Sequence, residues 1–163
     1  MNYIFLGKII TTHGLKGEMK IKSNFKYKDK VFNIGNFLYL GKEKKKLEIV
    51  SYRVHQNYDM VIFKEYDDIS KVIPLKGMSL YFNKEDYVFS SYLDEELINL
   101  VCIYNNKEIG IVNDIIDAGS GNLLLVVNNK YIPKNDNFID KVDINNKMNN
   151  KSKQITISLT KYF

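Results

Sequence analysis

The sequence predicts a mainly β protein organised as small barrels or sandwiches, and three features carry that expectation. Apolar residues alternate at period two or fall in short β-branched runs, with few stretches long enough for a helix. Turn formers punctuate the second half at roughly ten-residue spacing, as Asn105-Asn106, Gly119-Ser120-Gly121-Asn122 and Asn128-Asn129. One segment carries a helix start signal, the Asp67-Asp68 pair, whose carboxylates can accept hydrogen bonds from free backbone N–H groups.

Taken in order, residues 3–10 read as a strand, and residues 18–22 alternate cleanly, with Met19 and Ile21 on one face and Lys20 and Lys22 on the other. Residues 36–40 and 47–55 flank the charged tip Gly41-Lys42-Glu43-Lys44-Lys45-Lys46 as a hairpin, and residues 58–64 form another strand. A short helix is expected over 69–76, with Pro74 as its weak point and Gly77 as its end. Residues 79–82 close this first half as a strand.

The segment 83–95 mixes charges, serines and aromatics without period, which marks a boundary. The expected division is a domain over 1–84, a linker over 85–95 and a second domain over 96–163. Strands are expected at 97–104, 108–116, 123–127, 130–133, 138–142 and 154–159, with a polar Asn/Lys-rich loop over 145–153.

Composition removes several function classes. The longest apolar run is Leu123 to Val127, far short of the roughly 20 residues a membrane helix needs, so no membrane partner is expected. Met1-Asn2-Tyr3-Ile4 runs straight into patterned sequence, which argues against a secretory signal. Cys102 is alone, so internal disulfides and cysteine metal cages are excluded and a reducing, cytoplasmic compartment is expected. The net charge of +5 is unevenly shared: residues 1–84 hold 16 basic and 8 acidic side chains, net +8, and residues 85–163 hold 8 and 11, net −3. Such a dipole suits one half facing an anion such as nucleic acid and the other facing something basic or neutral. Drift toward Lys and Asn offers a blander explanation, since Arg53 is the sole arginine.

Enzyme machinery is sparse. His13 and His55 are the only histidines, and neither a phosphate-cradling loop nor a nucleophile elbow occurs. Cys102, between Val101 and Ile103, reads as a packed thiol. Asp114 and Asp117 could form an acid/base pair, but their place beside Gly119-Ser120-Gly121 favours turn roles. We therefore expect no enzyme, no metal and no cofactor.

Two segments carry binding chemistry. In the first, Gly14 and Gly17 permit a sharp turn between two strands that presents His13 and Lys16 at its tip. Downstream, Lys20, Lys22, Lys26, Lys28 and Lys30 interleave with Phe25 and Tyr27, a mixture that suits RNA because ammonium groups neutralise phosphates while rings stack on bases; a solvated strand edge is the alternative. In the second, Tyr87, Phe89 and Tyr92 precede Leu93-Asp94-Glu95-Glu96-Leu97, which either docks a basic protein or plugs the crevice between domains.

These segments, in order, resemble the ribosome maturation factor RimM family. The resemblance rests on Gly7-Lys8-Ile9 through His13-Gly14-Leu15-Lys16-Gly17-Glu18, and on Asp59 to Lys64 followed by Asp67-Asp68 and Leu75-Lys76-Gly77. Later blocks continue it: Glu96 to Leu100, Ile109-Gly110, Gly119-Ser120-Gly121-Asn122 with Leu123 to Val126, Ile132-Pro133 and Val142-Asp143. It implies two small β-barrels, an N-terminal one like those of translation factors with one short helix and a C-terminal PRC barrel. It further implies a non-catalytic assembly factor, monomeric and cytoplasmic, that binds the immature 30S subunit through the head ribosomal protein numbered nineteen and 16S rRNA. On this basis His13, Lys16, Lys20, Lys22 and Lys26 are the expected rRNA contacts, and Tyr92, Leu93, Glu95 and Leu97 the expected ribosomal-protein contacts. Gly14, Gly17, Gly119 and Gly121 serve turn geometry. The family's paired tyrosines fall on Tyr92 and Leu93, so the second ring is replaced by an aliphatic side chain. A generic RNA-binding barrel unconnected with ribosomes is the rival.

Overall fold

The computed structural model describes residues 1–144 and the backbone of residues 154–157. The expected loop over 145–153 and the end of the expected last strand, at 158–159, lie outside the described residues. The chain divides into two compact units, Met1–Val88 and Phe89–Phe163.

In the first unit the strands are β1 (Tyr3–His13), β2 (Glu18–Lys22), β3 (Phe37–Leu40), β4 (Lys45–His55), β5 (Tyr58–Phe63) and β6 (Ser79–Asn83). They close into a barrel in the order β1-β2-β5-β4-β3-β6, every pair antiparallel. Alternation drives this closure: Ile4, Leu6, Met19, Ile21, Leu38 and Leu80 are buried inside, each stabilising the barrel by roughly 1.5–3 kcal/mol. β1 serves two neighbours, β6 through its first half and β2 through its second, and register shifts at Phe5/Gly7 and Ile9/Thr11 let it bend between them. At Gly7 any Cβ would overlap the Lys22 carbonyl, so glycine is what allows the strands to approach there.

Two short helices accompany the barrel, one more than the sequence suggests. α1 (Lys28–Val31) lies inside the stretch read as a basic and aromatic strand edge. It forms with no side-chain cap, because Val31 and Phe32 are buried and the Phe32 ring stacks on Tyr52 at 5.4 Å. α2 (Ile69–Val72) starts at Asp68, whose carboxylate accepts the Ser70 N–H at 2.7 Å. The expected helix over 69–76 is shorter than anticipated. Pro74 has no N–H to continue the α ladder, and residues Ile73–Leu75 tighten into a 3₁₀ turn.

The second unit opens with a 3₁₀ turn, Asp94–Leu97, followed by β7 (Val101–Tyr104), β8 (Lys107–Asp117), β9 (Leu123–Val127), β10 (Lys130–Pro133), β11 (Ile139–Asp143) and β12 (Gln154–Ile157). The expected strand over 97–104 thus begins four residues late, because Glu96 accepts the Leu93 N–H and folds 94–97 into a turn. The strands form one sheet in the order β10-β9-β8-β7-β12-β11, with β12 and β7 parallel. Asn105-Asn106 and Asn128-Asn129 both carry positive φ in two-residue hairpin turns, the geometry that Asn tolerates best after Gly. Ile132 of β10 and Ile139 and Val142 of β11 pack on the same cluster as Cys102, Val112 and Leu125, so strands from both ends of the sheet curl around one core. Among the described residues no helix is long and apolar enough to cross a membrane.

Candidate nucleic-acid interface

The β1–β2 turn is anchored rather than loose. Gly14 and Gly17 have φ of +72° and +81°, and the Ile69 N–H donates to the Leu15 carbonyl at 3.0 Å, joining the turn to the start of α2. Gly17 faces a second constraint, since a Cβ there would overlap the Tyr66 carbonyl. His13, Lys16 and the Leu15 side chain between them are exposed on this braced tip. Gly119 and Gly121 take φ of +110° and +76° in the second unit, where the Gly119 N–H donates to the Asp117 carboxylate at 2.8 Å.

From the tip a basic surface runs across the outside of β2, β5 and β4. Lys20 and Arg53 flank Met60 in one cross-strand row, and Met60 itself is buried. The Lys20 ammonium lies 4.5 Å from the centre of the Tyr58 ring. Arg53 grips Glu18 with two hydrogen bonds of 2.9 and 2.7 Å, and the His13 and His55 rings approach to 5.6 Å. Arg53's hydrogen bonds, then its charge and those of the two histidines, hold the Glu18 carboxyl below its usual range against the opposing effect of burial. Lys8 and Lys22 stand directly opposite each other on β1 and β2, a like-charge pair that a phosphate would relieve.

The expected rRNA contacts therefore separate. His13, Lys16, Lys22 and Lys26 are exposed, and Lys20 is half-buried against Tyr58. Lys28 is committed elsewhere: it pairs at 2.8 Å with buried Asp59, which also accepts the Tyr52 hydroxyl at 2.7 Å. Lys30 donates to the Val88 carbonyl at 2.8 Å. Phe25 is buried against Tyr27 and Phe82, so it offers no face to a base, contrary to the stacking role expected of it. Lys8, Arg53, His55 and Tyr58 were missed by sequence reasoning. The alternation of Arg53 and His55 about Val54 is the signal that would have found those two.

The second segment is more internal than expected. Tyr92 is 37% exposed, but Leu93 and Leu97 are 3% and 0% exposed, so the contact area expected of these two leucines is already buried within the protein. Around Tyr92, Lys134 pairs with Asp94 at 2.8 Å and places its ammonium 5.6 Å from the ring centre. Burial, then the neighbouring Asp94 and Glu96, raise the Glu95 carboxyl above its ordinary value. Tyr87 packs edge-on against Phe82 at 5.7 Å, and burial pushes its hydroxyl up to about 12. Cys102 is buried and its thiol is pushed up to about 11, which suppresses the thiolate a nucleophile needs. The Asp114 and Asp117 carboxylates accept the N–H groups of Ile115 and Gly119, both at 2.8 Å. Among the described residues no group of three or more His, Cys, Asp or Glu is placed to hold a metal ion.

Residues 4–87, nearly the whole of the first unit, match the family model described as the RimM N-terminal domain. A ribosome maturation factor RimM of Ligilactobacillus salivarius is 41% identical over 87 residues, covering 52% of this chain and 52% of that protein. One of an Exiguobacterium species is 38% identical over 87 residues, covering 52% and 51%. The chain thus spans about half the length of the curated relatives it matches. Among solved structures, a 16S ribosomal RNA processing protein RimM of Pseudomonas aeruginosa aligns over 96% of this chain and 97% of its own, with 18% identity and a TM-score of 0.47.

Proposed function

The chain belongs to the RimM family, and from that membership we propose that it is a ribosome maturation factor, acting in the cytoplasm without catalysing a reaction. The observation that carries this reading is the family match over residues 4–87, which includes every strand of the first barrel but the first residue of β1. Its first unit meets 16S rRNA in the immature 30S subunit through His13, Lys16, Lys20, Lys22 and Lys26, with Lys8, Arg53 and His55 extending the same surface. The net charge of +8 over residues 1–84 supports this, because phosphate neutralisation dominates affinity for RNA. Its second unit docks on the ribosomal protein numbered nineteen at Tyr92, with Leu93 and Leu97 bracing the segment from inside and Glu95 beside it.

Mechanistically, each contact alone is weak and tethering raises the effective concentration of the second. Binding favours a native-like arrangement of the head and shifts its population, with no bond made or broken. The test is co-sedimentation of the full chain with immature 30S particles, mature 30S subunits and 70S ribosomes. Association with the immature particle alone is expected. Equal association with all three, or with naked RNA of any origin, would favour the generic RNA-binding barrel instead.

A further inference from the structure

The barrel carries a second outward surface, away from the row of Lys20, Met60 and Arg53. On β1, β6, β3 and β4 the residues Phe5, Tyr81, Tyr39 and Lys46 stand in register across four adjacent strands. Their sequence neighbours Ile4, Leu6, Leu38, Leu40, Leu80 and Phe82 point into the core, so this row faces outward. Tyr3 meets Tyr39 edge-on at 5.0 Å, and Phe5 meets Tyr81 edge-on at 5.9 Å. Phe5 and Phe37 remain 45% and 37% exposed. Tyr39 is only 3% exposed and forms the floor of the row, so the reachable rings are Phe5, half-buried Tyr81 and, one strand further on, Phe37. With strands about 4.8 Å apart these three span roughly 10 Å, room for two or three stacked bases.

Ammonium groups lie over these rings. Lys44, at φ +54° in the β3–β4 turn, sits 4.0 Å from the Tyr81 ring centre and 5.8 Å from that of Tyr3, and Lys46 sits 4.2 Å from Phe37. In the free protein they keep an otherwise apolar face hydrated. We propose that this face is a stacking platform for unpaired RNA bases, with Tyr3, Phe5, Tyr81 and Phe37 supplying rings and Lys44 and Lys46 the phosphate contacts. A base that takes the ring face displaces the ammonium toward the phosphate of the same nucleotide, so one cation serves both states. Charge selects the occupant: residues 42–46, the β3–β4 turn and the start of β4, hold four lysines and one glutamate, which an apolar protein surface would have to desolvate and a nucleic acid neutralises. The proposal rests on the RNA-binding reading above and adds to it a preference for single strands.

The test uses the full chain with two probes of equal phosphate number, a short single strand carrying one 2-aminopurine among uridines and a hairpin duplex, both read by anisotropy at near-physiological salt. Wild type is expected to quench the 2-aminopurine. The double variant F5L/F37L, which retains apolar bulk and removes the rings, is expected to lose the quenching and about ten- to a hundredfold in single-strand affinity, with duplex affinity unchanged. Independently, K44Q/K46Q touches no core side chain and is expected to lower the salt slope for the single strand by about 1.4, from two phosphates at ~0.7 each. F5L/F37L binding the single strand as wild type does, or losing both probes equally, overturns the platform while leaving the RNA reading standing. So does a wild-type dimer that these substitutions dissolve without effect on RNA, or capture of an acidic peptide in place of the strand. Failure of wild type to bind either probe overturns both readings.

Discussion

Gly17→Ala, compared with Gly14→Ala, isolates what the β1–β2 turn contributes through packing from what it contributes through backbone conformation. Both glycines lie in the left-handed region, at +81° and +72°, where a Cβ costs about 1–2 kcal/mol. At Gly14 no atom lies within 4 Å of the added methyl, so that cost is the whole effect. At Gly17 the methyl overlaps the Tyr66 carbonyl oxygen and comes to 2.9 Å from its carbon and 3.0 Å from the Asp68 nitrogen. These are backbone atoms of the segment that leads into α2, so they cannot rotate away, and overpacking of this kind costs about 1–3 kcal/mol more. The expected totals are therefore about 1–2 kcal/mol for Gly14→Ala and about 2–5 kcal/mol for Gly17→Ala. For a unit of this size each kcal/mol moves Tm by about 4–8 °C, so the two variants should melt well apart. Hydrogen exchange localises the effect: in Gly17→Ala, protection is expected to fall at Ile69, whose N–H bonds to Leu15, as well as in the turn. Equal destabilisation by the two substitutions would refute the packing argument, because they share the conformational cost and differ only in the neighbours of the methyl.

Three further outcomes are expected. Asp59→Ala strips the partner from the Lys28 ammonium and the Tyr52 hydroxyl, and urea unfolding should show a loss of about 2–4 kcal/mol, below the full cost of breaking a buried pair because Lys28 stays partly hydrated. Glu18 is held below its ordinary pKa of 4.5 when folded, so its stabilising contribution is complete above that pH and is lost as pH falls through the lowered value. The stability difference between wild type and Glu18→Gln, followed by urea titration from pH 7 to pH 3, should shrink only below pH 4.5, and a difference that vanished near neutrality would contradict the assignment. Cys102, buried and with its thiol at about 11, should react with a disulfide reagent only at the rate of unfolding, and a burst of labelling in native buffer would show it accessible.

The elements legible in the sequence are those whose local pattern and tertiary role agree. Glu18 to Lys22 alternates because Met19 and Ile21 enter the barrel, and Leu123–Val127 and Lys130–Pro133 are joined by Asn128-Asn129, both at the positive φ that Asn tolerates. Where tertiary contacts override pattern, the sequence misleads. α1 has no cap and no helical period, and what coils it is the burial of Val31 and Phe32 over Tyr52, twenty residues beyond Phe32. The turn over Asp94–Leu97 was hidden because Leu97 and Leu100 suit a buried strand as well as they suit a turn followed by a bend at Asn99, whose φ is +67°. Barrel closure through β1–β6 and β3–β6 joins segments some 40 to 80 residues apart, and no local period encodes that.

The candidate sites divide for the same reason. A lysine's type is visible in the sequence, but its freedom is not: Lys26 is exposed while Lys28, two residues on, is clasped by a carboxylate 31 residues away. Aromatic residues show the converse. Phe25 sits among lysines in the chain yet is buried in the fold, whereas Phe5, Phe37 and Tyr81 lie far apart in the chain and gather on one outer face, with Lys44 and Lys46 over their rings and those of their neighbours. Interleaving of charge and aromatics along a strand therefore places the two on opposite faces or at an edge, and only pairing across strands brings rings and ammonium groups together. On this barrel the rows that gather rings and cations run perpendicular to the chain, through Phe5, Tyr81, Tyr39 and Lys46 on one side and Lys20, Met60 and Arg53 on another. On the proposed reading, a surface with exposed rings on one face and, on another, cations held by a carboxylate and a ring would engage unpaired and paired RNA through different chemistry.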